Sequence, residues 1–201
     1  MDVRFRLASN FIIVGPSQAG KTTFVERLIE DKEILFHPVP KRILWCGDNP
    51  KTKYENIKGL PKISMILPYD SIVIDDLFLE ASESKEISAL FTKYTHHLPC
   101  GVIFLTQNLF YQSKQHRNRA LNTHYLILFK NPRDNTAIQV IGKQMEIPAK
   151  EIYMDATQEP HSYLLIDFHQ NTPDDIRFRK NLLLHEYPPL VYVVNKYNLY
   201  K

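Results

Sequence analysis

Residues 10–23 read Asn10-Phe-Ile-Ile-Val14-Gly15-Pro16-Ser17-Gln18-Ala19-Gly20-Lys21-Thr22-Thr23, and this stretch decides the fold. Asn10–Val14 reads as a buried strand. A helix follows over Lys21–Asp31, because Phe24, Val25, Leu28 and Ile29 recur three and four residues apart on one face. Between strand and helix stands G-x-x-x-x-G-K-T, the context a phosphate-cradling loop needs. Gly15 and Gly20 permit backbone conformations that a β-carbon would obstruct. The amides of Ser17, Gln18, Ala19 and Gly20, running on to Thr23, can then wrap phosphates, and the helix start adds positive dipole there. In such a loop Lys21 reaches the β- and γ-phosphates and the Thr22 hydroxyl ligates Mg²⁺. A chance glycine turn would lack the strand before it and the helix behind it. Binding of a nucleotide with Mg²⁺ is therefore the first expectation.

Outward from this loop, short apolar runs alternate with helical stretches, the pattern of a mostly parallel sheet flanked by helices. Strands are expected at Arg42–Cys46, Ser71–Ile74, Gly101–Leu105, Tyr125–Phe129 and Tyr163–Phe168, with a short one at Ile63–Leu67. Ser82 is placed to cap a helix running to about His96. Helices are expected near Thr136–Met145 and Pro148–Thr157. Ile176 and Phe178 alternate with Arg177 and Arg179, which suggests a last strand exposed on its arginine face.

Two strand ends carry further chemistry. Ser71-Ile72-Val73-Ile74-Asp75-Asp76 is an apolar strand ending in acid, the form of a Walker B motif. Asp75 is the candidate for the magnesium side and Asp76, adjacent to it, the candidate general base that polarises water. The bland alternative is a strand that ends in a polar turn. Gly101–Leu105 runs into Thr106-Gln107-Asn108, where Gln107 offers both a donor and an acceptor to a γ-phosphate or a water.

Composition sets the outer bounds. The chain has 201 residues, 44% hydrophobic and 23% charged, which is globular usage. No apolar run approaches the length of a membrane span, and the stretch after Arg4 and Arg6 is too short for a signal-peptide core. Cys46 and Cys100 lie far apart, so buried free thiols are expected rather than a disulfide framework or a zinc site. His96, His97 and His116 lack a nearby cysteine partner and read as surface residues. The net charge of +3 is mild, but its distribution is uneven. Lys114, Arg117, Arg119, Lys130, Arg133, Lys143 and Lys150 are opposed only by Asp134 and Glu146, a composition that suits phosphate contact or a solvated basic face.

Taken together, the Gly15–Thr22 loop, Asp75-Asp76 and Thr106-Gln107-Asn108 resemble the FtsK–HerA superfamily of P-loop motors. Arg117 through Asn122, followed by His124-Tyr125-Leu-Ile-Leu-Phe129-Lys130-Asn131-Pro132-Arg133-Asp134, resembles more narrowly the viral genome-packaging ATPases of adintoviruses and Polinton-type elements. The Tyr163–Asp167 strand also fits, so the resemblance covers roughly residues 10–180. It implies one P-loop ATPase domain over 1–201, with the tail 181–201 of uncertain placement. The implied fold is an additional-strand α/β P-loop core, with the Gln107 strand between those of the two Walker motifs. The implied activity is Mg²⁺-dependent ATP hydrolysis by a homo-oligomeric ring, a hexamer or pentamer, that drives double-stranded DNA into a capsid. Its partners would be duplex DNA read without sequence preference and capsid or portal-like proteins, at a nuclear or cytoplasmic site of virion assembly, with no membrane and no secretion. By the same resemblance Arg117 is the candidate arginine delivered to a neighbour's nucleotide, with Arg133 and Arg119 as rivals. Arg119 stands where an apolar or small residue is expected.

Other readings share parts of the pattern. A GTPase would use Asn195-Lys196-Tyr197-Asn198 to read guanine, but Asn198 replaces the necessary carboxylate and Phe78 replaces the Walker B glycine. A nucleoside or nucleotide kinase shares the loop but needs no paired strand-end aspartates. A non-catalytic DNA-binding protein with a vestigial loop would have no reason to keep Lys21, Thr22, Asp75 and Asp76. For DNA contact, Leu109–His116 and the group Lys51, Lys53, Lys58, Lys62 are the candidates.

Overall fold

The computed structural model describes residues 3–47, 54–66, 68–75, 77, 84–94, 100–109, 114–186 and 188–194, with only the backbone of 63, 86, 93, 94 and 114–117. Two short strands, β1 (Phe5–Arg6) and β3 (Phe36–His37), pair in parallel beside the main sheet. That sheet is built from β2 (Asn10–Val14), β4 (Ile43–Cys46), β5 (Glu55–Ile57), β6 (Ser71–Ile74), β7 (Gly101–Thr106), β8 (Tyr125–Phe129), β9 (Tyr163–Asp167), β10 (Phe178–Lys180) and β11 (Leu190–Tyr192). Its order is β11-β10-β9-β8-β2-β7-β6-β4-β5. From β5 to β8 every pairing is parallel, and β9, β10 and β11 add on antiparallel. β7 lies between β2 and β6, so the additional-strand core expected from the sequence is present.

Strands covered on both faces are mainly apolar, and β2, β4, β6, β7, β8 and β9 are buried at every position. Alternate residues feed two separate cores. Ile12, Val14, Ile72, Ile74, Val102, Phe104, Leu126 and Leu128 face the helical turns of 85–94 and the helices Thr136–Met145 and Ala149–Ala156. Phe11, Ile13, Val73, Ile103, Leu105, Ile127 and Phe129 face the helix Lys21–Glu30, which brings Phe24, Val25, Leu28 and Ile29. Val25 and Leu28 have no exposed surface, and burying each contributes about 1.5–3 kcal/mol.

Some boundaries moved. Ile63–Ile66 is a helical turn rather than a strand. The place beside β4 that an extra strand would need is taken by β5, and Gly59, Pro61 and Pro68 leave room only for a turn that buries Ile66. The helix after β6 begins at Lys85, and the Ser84 hydroxyl accepts the Ile87 amide at 3.1 Å. Ser82, the expected cap, lies outside the described residues. The helix widens into a π-helical turn at Leu90–Tyr94. The exposed arginine face expected of the last strand is also corrected. Arg179 is 2% exposed and donates to Asp167 Oδ2 at 2.6 Å and to the Val3 carbonyl at 2.8 Å. A buried carboxylate and a backbone carbonyl, not water, therefore hold this guanidinium. Cys46 and Cys100 are buried free thiols, both pushed up to about 12 by burial.

Candidate functional site

Three strands end together at one edge of the sheet. β2 pairs with β7 so that Val14 stands opposite Thr106, and β7 pairs with β6 so that Phe104 stands opposite Ile74. The loop, the acid and the glutamine that follow these residues therefore open onto one crevice, where ligands of parallel α/β sheets bind. The loop is fastened to its neighbour, because the Gly15 amide donates to the Thr106 carbonyl at 3.2 Å. It closes on itself where the Ala19 amide donates to the Pro16 carbonyl at 3.2 Å.

The two glycines serve different needs. Gly20 has φ +99°, a left-handed conformation at the start of the helix that disfavours any β-carbon. Gly15 is required by space. A Cβ there would lie 2.8 Å from the Cβ of Phe129 and 3.2 Å from that of Ala19. The helix from Lys21 has no side-chain cap and no acid in its first turn, so its first amides are left for an anion. Lys21 Nζ donates to the carbonyls of Gly15 and Pro16 at 2.8 and 2.9 Å, arched back over the loop it would share with phosphates.

Thr22 Oγ1 donates to Asp75 Oδ2 at 3.0 Å, joining the start of the helix Lys21–Glu30 to the end of β6 across 53 residues of sequence. Asp75 is buried, and its amide continues the strand by donating to the Cys46 carbonyl at 2.9 Å. Two oxygens bound side by side to one Mg²⁺ at about 2.1 Å in an octahedron sit about 3 Å apart. The hydroxyl and the carboxylate fit that ion in type and in spacing. Gln107 is exposed and lines the same cavity as Lys21, Thr22 and Asp75.

Of the remaining expected residues, Asp76 lies outside the described residues, as do the side chain of Arg117 and residues 110–113 of the expected loop 109–116, whose last three residues begin a helix instead. Arg117's backbone belongs to the helix Lys114–Leu121. Arg119 is 1% exposed, with its guanidinium over the Phe104 ring at 5.1 Å and its pKa brought down to about 10 by burial. It is a core residue and cannot reach a neighbour's nucleotide. Arg133 is exposed on the loop after β8, where the Asn131 side chain accepts its amide at 3.1 Å. Lys58 and Lys62 are exposed, and Lys51 and Lys53 lie outside the described residues.

The crevice is a cavity of about 640 Å³, larger than the loop alone accounts for. His161, Arg27, His185 and Glu186 also line it, and no sequence motif pointed to them. His161 holds φ +63° and packs against Gly20, with its Nδ1 3.2 Å from the Ala19 carbonyl. The segment after β10, left unplaced by the sequence, returns to this wall. Leu184 donates its amide to Asp31 Oδ2 at 3.2 Å, and Arg27 Nη1 stands 2.5 Å from His185 Nε2. Tyr163 donates to Glu186 Oε2 at 2.5 Å, and burial with that carboxylate drives the phenol's pKa far up.

The fold is that of a P-loop NTPase. No family model matches the sequence, and no curated protein matches it. Solved structures do. The genome packaging NTPase B204 of Sulfolobus turreted icosahedral virus 2, in complex with AMPPCP, matches at 14% identity and a TM-score of 0.55, over 82% of this chain and 95% of that one. Its complex with ATP-gammaS matches at 13% identity, a TM-score of 0.53 and the same two coverages. Its AMP complex matches at 14% identity and 0.53 over 90% of this chain and 98% of that one. At such identities the likeness is one of fold.

Proposed function

We propose that this chain is a Mg²⁺-dependent ATPase that works as a homo-oligomeric ring and drives double-stranded DNA into a viral capsid, at a nuclear or cytoplasmic site of virion assembly. The observation that carries the nucleotide chemistry is the 3.0 Å contact of Thr22 with Asp75 beneath an uncapped helix start. The packaging role is supported by the likeness to B204 over nearly its whole length and by the Arg117–Asp134 block that resembles packaging ATPases.

In this reading the loop amides and the start of the helix Lys21–Glu30 hold the phosphates of ATP. Lys21 exchanges its two carbonyl contacts for phosphate oxygens. Thr22 and Asp75 would hold Mg²⁺, which neutralises charge on the β- and γ-phosphates. Asp76 accepts a proton from the attacking water, and Gln107 orients that water or senses the γ-phosphate. A planar, permanently charged guanidinium from a neighbouring subunit suits the charge that spreads in the transition state, and Arg117 is assigned that role.

The test is turnover with and without duplex DNA. ATP hydrolysis by the assembled protein is expected to rise with duplexes of unrelated sequence and the rise to fade with salt, since backbone contacts release counterions and carry no sequence information. Arg117→Ala and Lys21→Ala proteins are each expected to be inactive, and mixing them to recover part of the hydrolysis. Equal rates with and without DNA across a low-salt series, or full activity of Arg117→Ala alone, would overturn the motor and the trans arginine respectively.

A further inference from the structure

The end of the cavity away from the phosphate loop is built from parts with no role so far. Arg27 lies two turns along the helix from the loop, and seven residues at about 1.5 Å each place it about 10 Å from Gly20. That is comparable with the reach of a nucleoside triphosphate from its phosphates towards its base. Arg27 and His185 are both exposed and both line the cavity. They are two flat groups in contact, one a guanidinium and one an imidazole, with Leu183 beside them. Planar groups of this kind take up an aromatic ring by stacking.

The acid at this end is already engaged. Glu186 Oε2 accepts from the Tyr163 hydroxyl and from the Leu183 amide at 3.2 Å, and Oε1 stands 3.7 Å from His185 Nε2. A carboxylate so held is not presented to the N1–H and N2–H of a guanine. The amide side chains that line the cavity, Gln18 and Gln107, belong to the loop and to the end of β7. Discrimination between bases by 10⁴-fold or more needs polar groups that are left unpaired by the wrong base, and here Arg27 and His185 contact each other while Glu186 is hydrogen-bonded to Tyr163 and Leu183.

Resting on the phosphate-loop reading above, we infer that Arg27 and His185 form the nucleoside subsite and hold a purine by its faces, so that ATP and GTP bind with similar affinity. The segment that follows β10 then has a purpose. By fixing Leu184 to Asp31 and Glu186 to Tyr163, it carries His185 to the helix.

Calorimetric titration with ATP, GTP and inorganic tripolyphosphate, each with Mg²⁺, separates the two ends of the site. Wild-type protein is expected to bind ATP and GTP within about tenfold of each other. Arg27→Ala and His185→Ala are each expected to weaken both nucleotides about tenfold, the order of a contact between a cation and an aromatic face, and to leave tripolyphosphate unchanged. A merely structural role would weaken tripolyphosphate as well, and that result overturns the inference. So does a preference for one purine above about 100-fold, or nucleotide affinity indifferent to both substitutions while Lys21→Ala still abolishes it. ATP bound equally by wild type and Lys21→Ala would instead overturn the phosphate-loop reading and this inference with it.

Discussion

Replacing Gly15 by alanine isolates a cause that the sequence misattributes. Gly15 is not among the residues with positive φ, so alanine suits its backbone. The added methyl would instead lie 2.8 Å from Phe129 Cβ and 3.2 Å from Ala19 Cβ, against an ordinary carbon–carbon separation of about 3.5–4.0 Å. Phe129 Cβ is fixed to the backbone of a strand paired on both sides, and Phe129 is 3% exposed, so no rotamer change relieves the contact. Either β8 or the loop must shift by most of an ångström. Overpacking of this kind costs about 1–3 kcal/mol. If the strain stays in the fold, Tm falls by about 2–4 °C per kcal/mol for a protein of this size. If the loop relaxes away from Thr106 and ATP must pull it back, the same 1–3 kcal/mol appears as an affinity loss of about 5–150-fold. Thermal unfolding without nucleotide and titration of ATP, both on Gly15→Ala, measure the two shares. A variant with Tm within about 1 °C and ATP affinity within about twofold of wild type would refute the argument from space.

Asp76→Asn is expected to bind ATP and lose hydrolysis by about 10²–10⁴-fold, the contribution of a placed general base. If Asp75→Asn shows that phenotype while Asp76→Asn stays active, the two acids are reversed. Arg179→Met leaves the Asp167 carboxylate buried without its partner and is expected to destabilise by about 3–5 kcal/mol in urea unfolding. Adding Asp167→Asn should restore much of that, and a loss below about 1 kcal/mol would show the pair to be dispensable. The His169 ring stacks on His124 at 4.6 Å, and burial together with His124 lowers its pKa from 6.5 to about 4. The unfolded chain then binds more protons between those values, so stability should rise with pH from about 4 to 6.5 and level off above. Unfolding free energies measured across that range should lose part of this slope in His169→Gln, and an unchanged slope would assign it elsewhere.

The sequence alone determined the elements whose causes are local. β2, β6, β7 and β8 announce themselves as short apolar runs bounded by polar turns, and the helix Lys21–Glu30 by its 3.6-residue period. The loop Gly15–Thr22, Asp75 and Gln107 follow those elements at fixed places, so they could be named as candidates for one site before the structure placed them together. Tertiary structure decided what depends on distant partners. Alternation along β10 could not show that Asp167 waits for Arg179, and nothing near Arg119 in sequence could show that Phe104 lies beneath it. An arginine's hydropathy is the same in water and in an ion pair, and only a partner far along the chain distinguishes the two. The far wall of the cavity was hidden for the same reason. Arg27, His161 and His185 lie in three separate segments without a shared spacing, and only the tertiary fold brings them to one cavity, His161 before β9 and His185 by the return of the chain after β10.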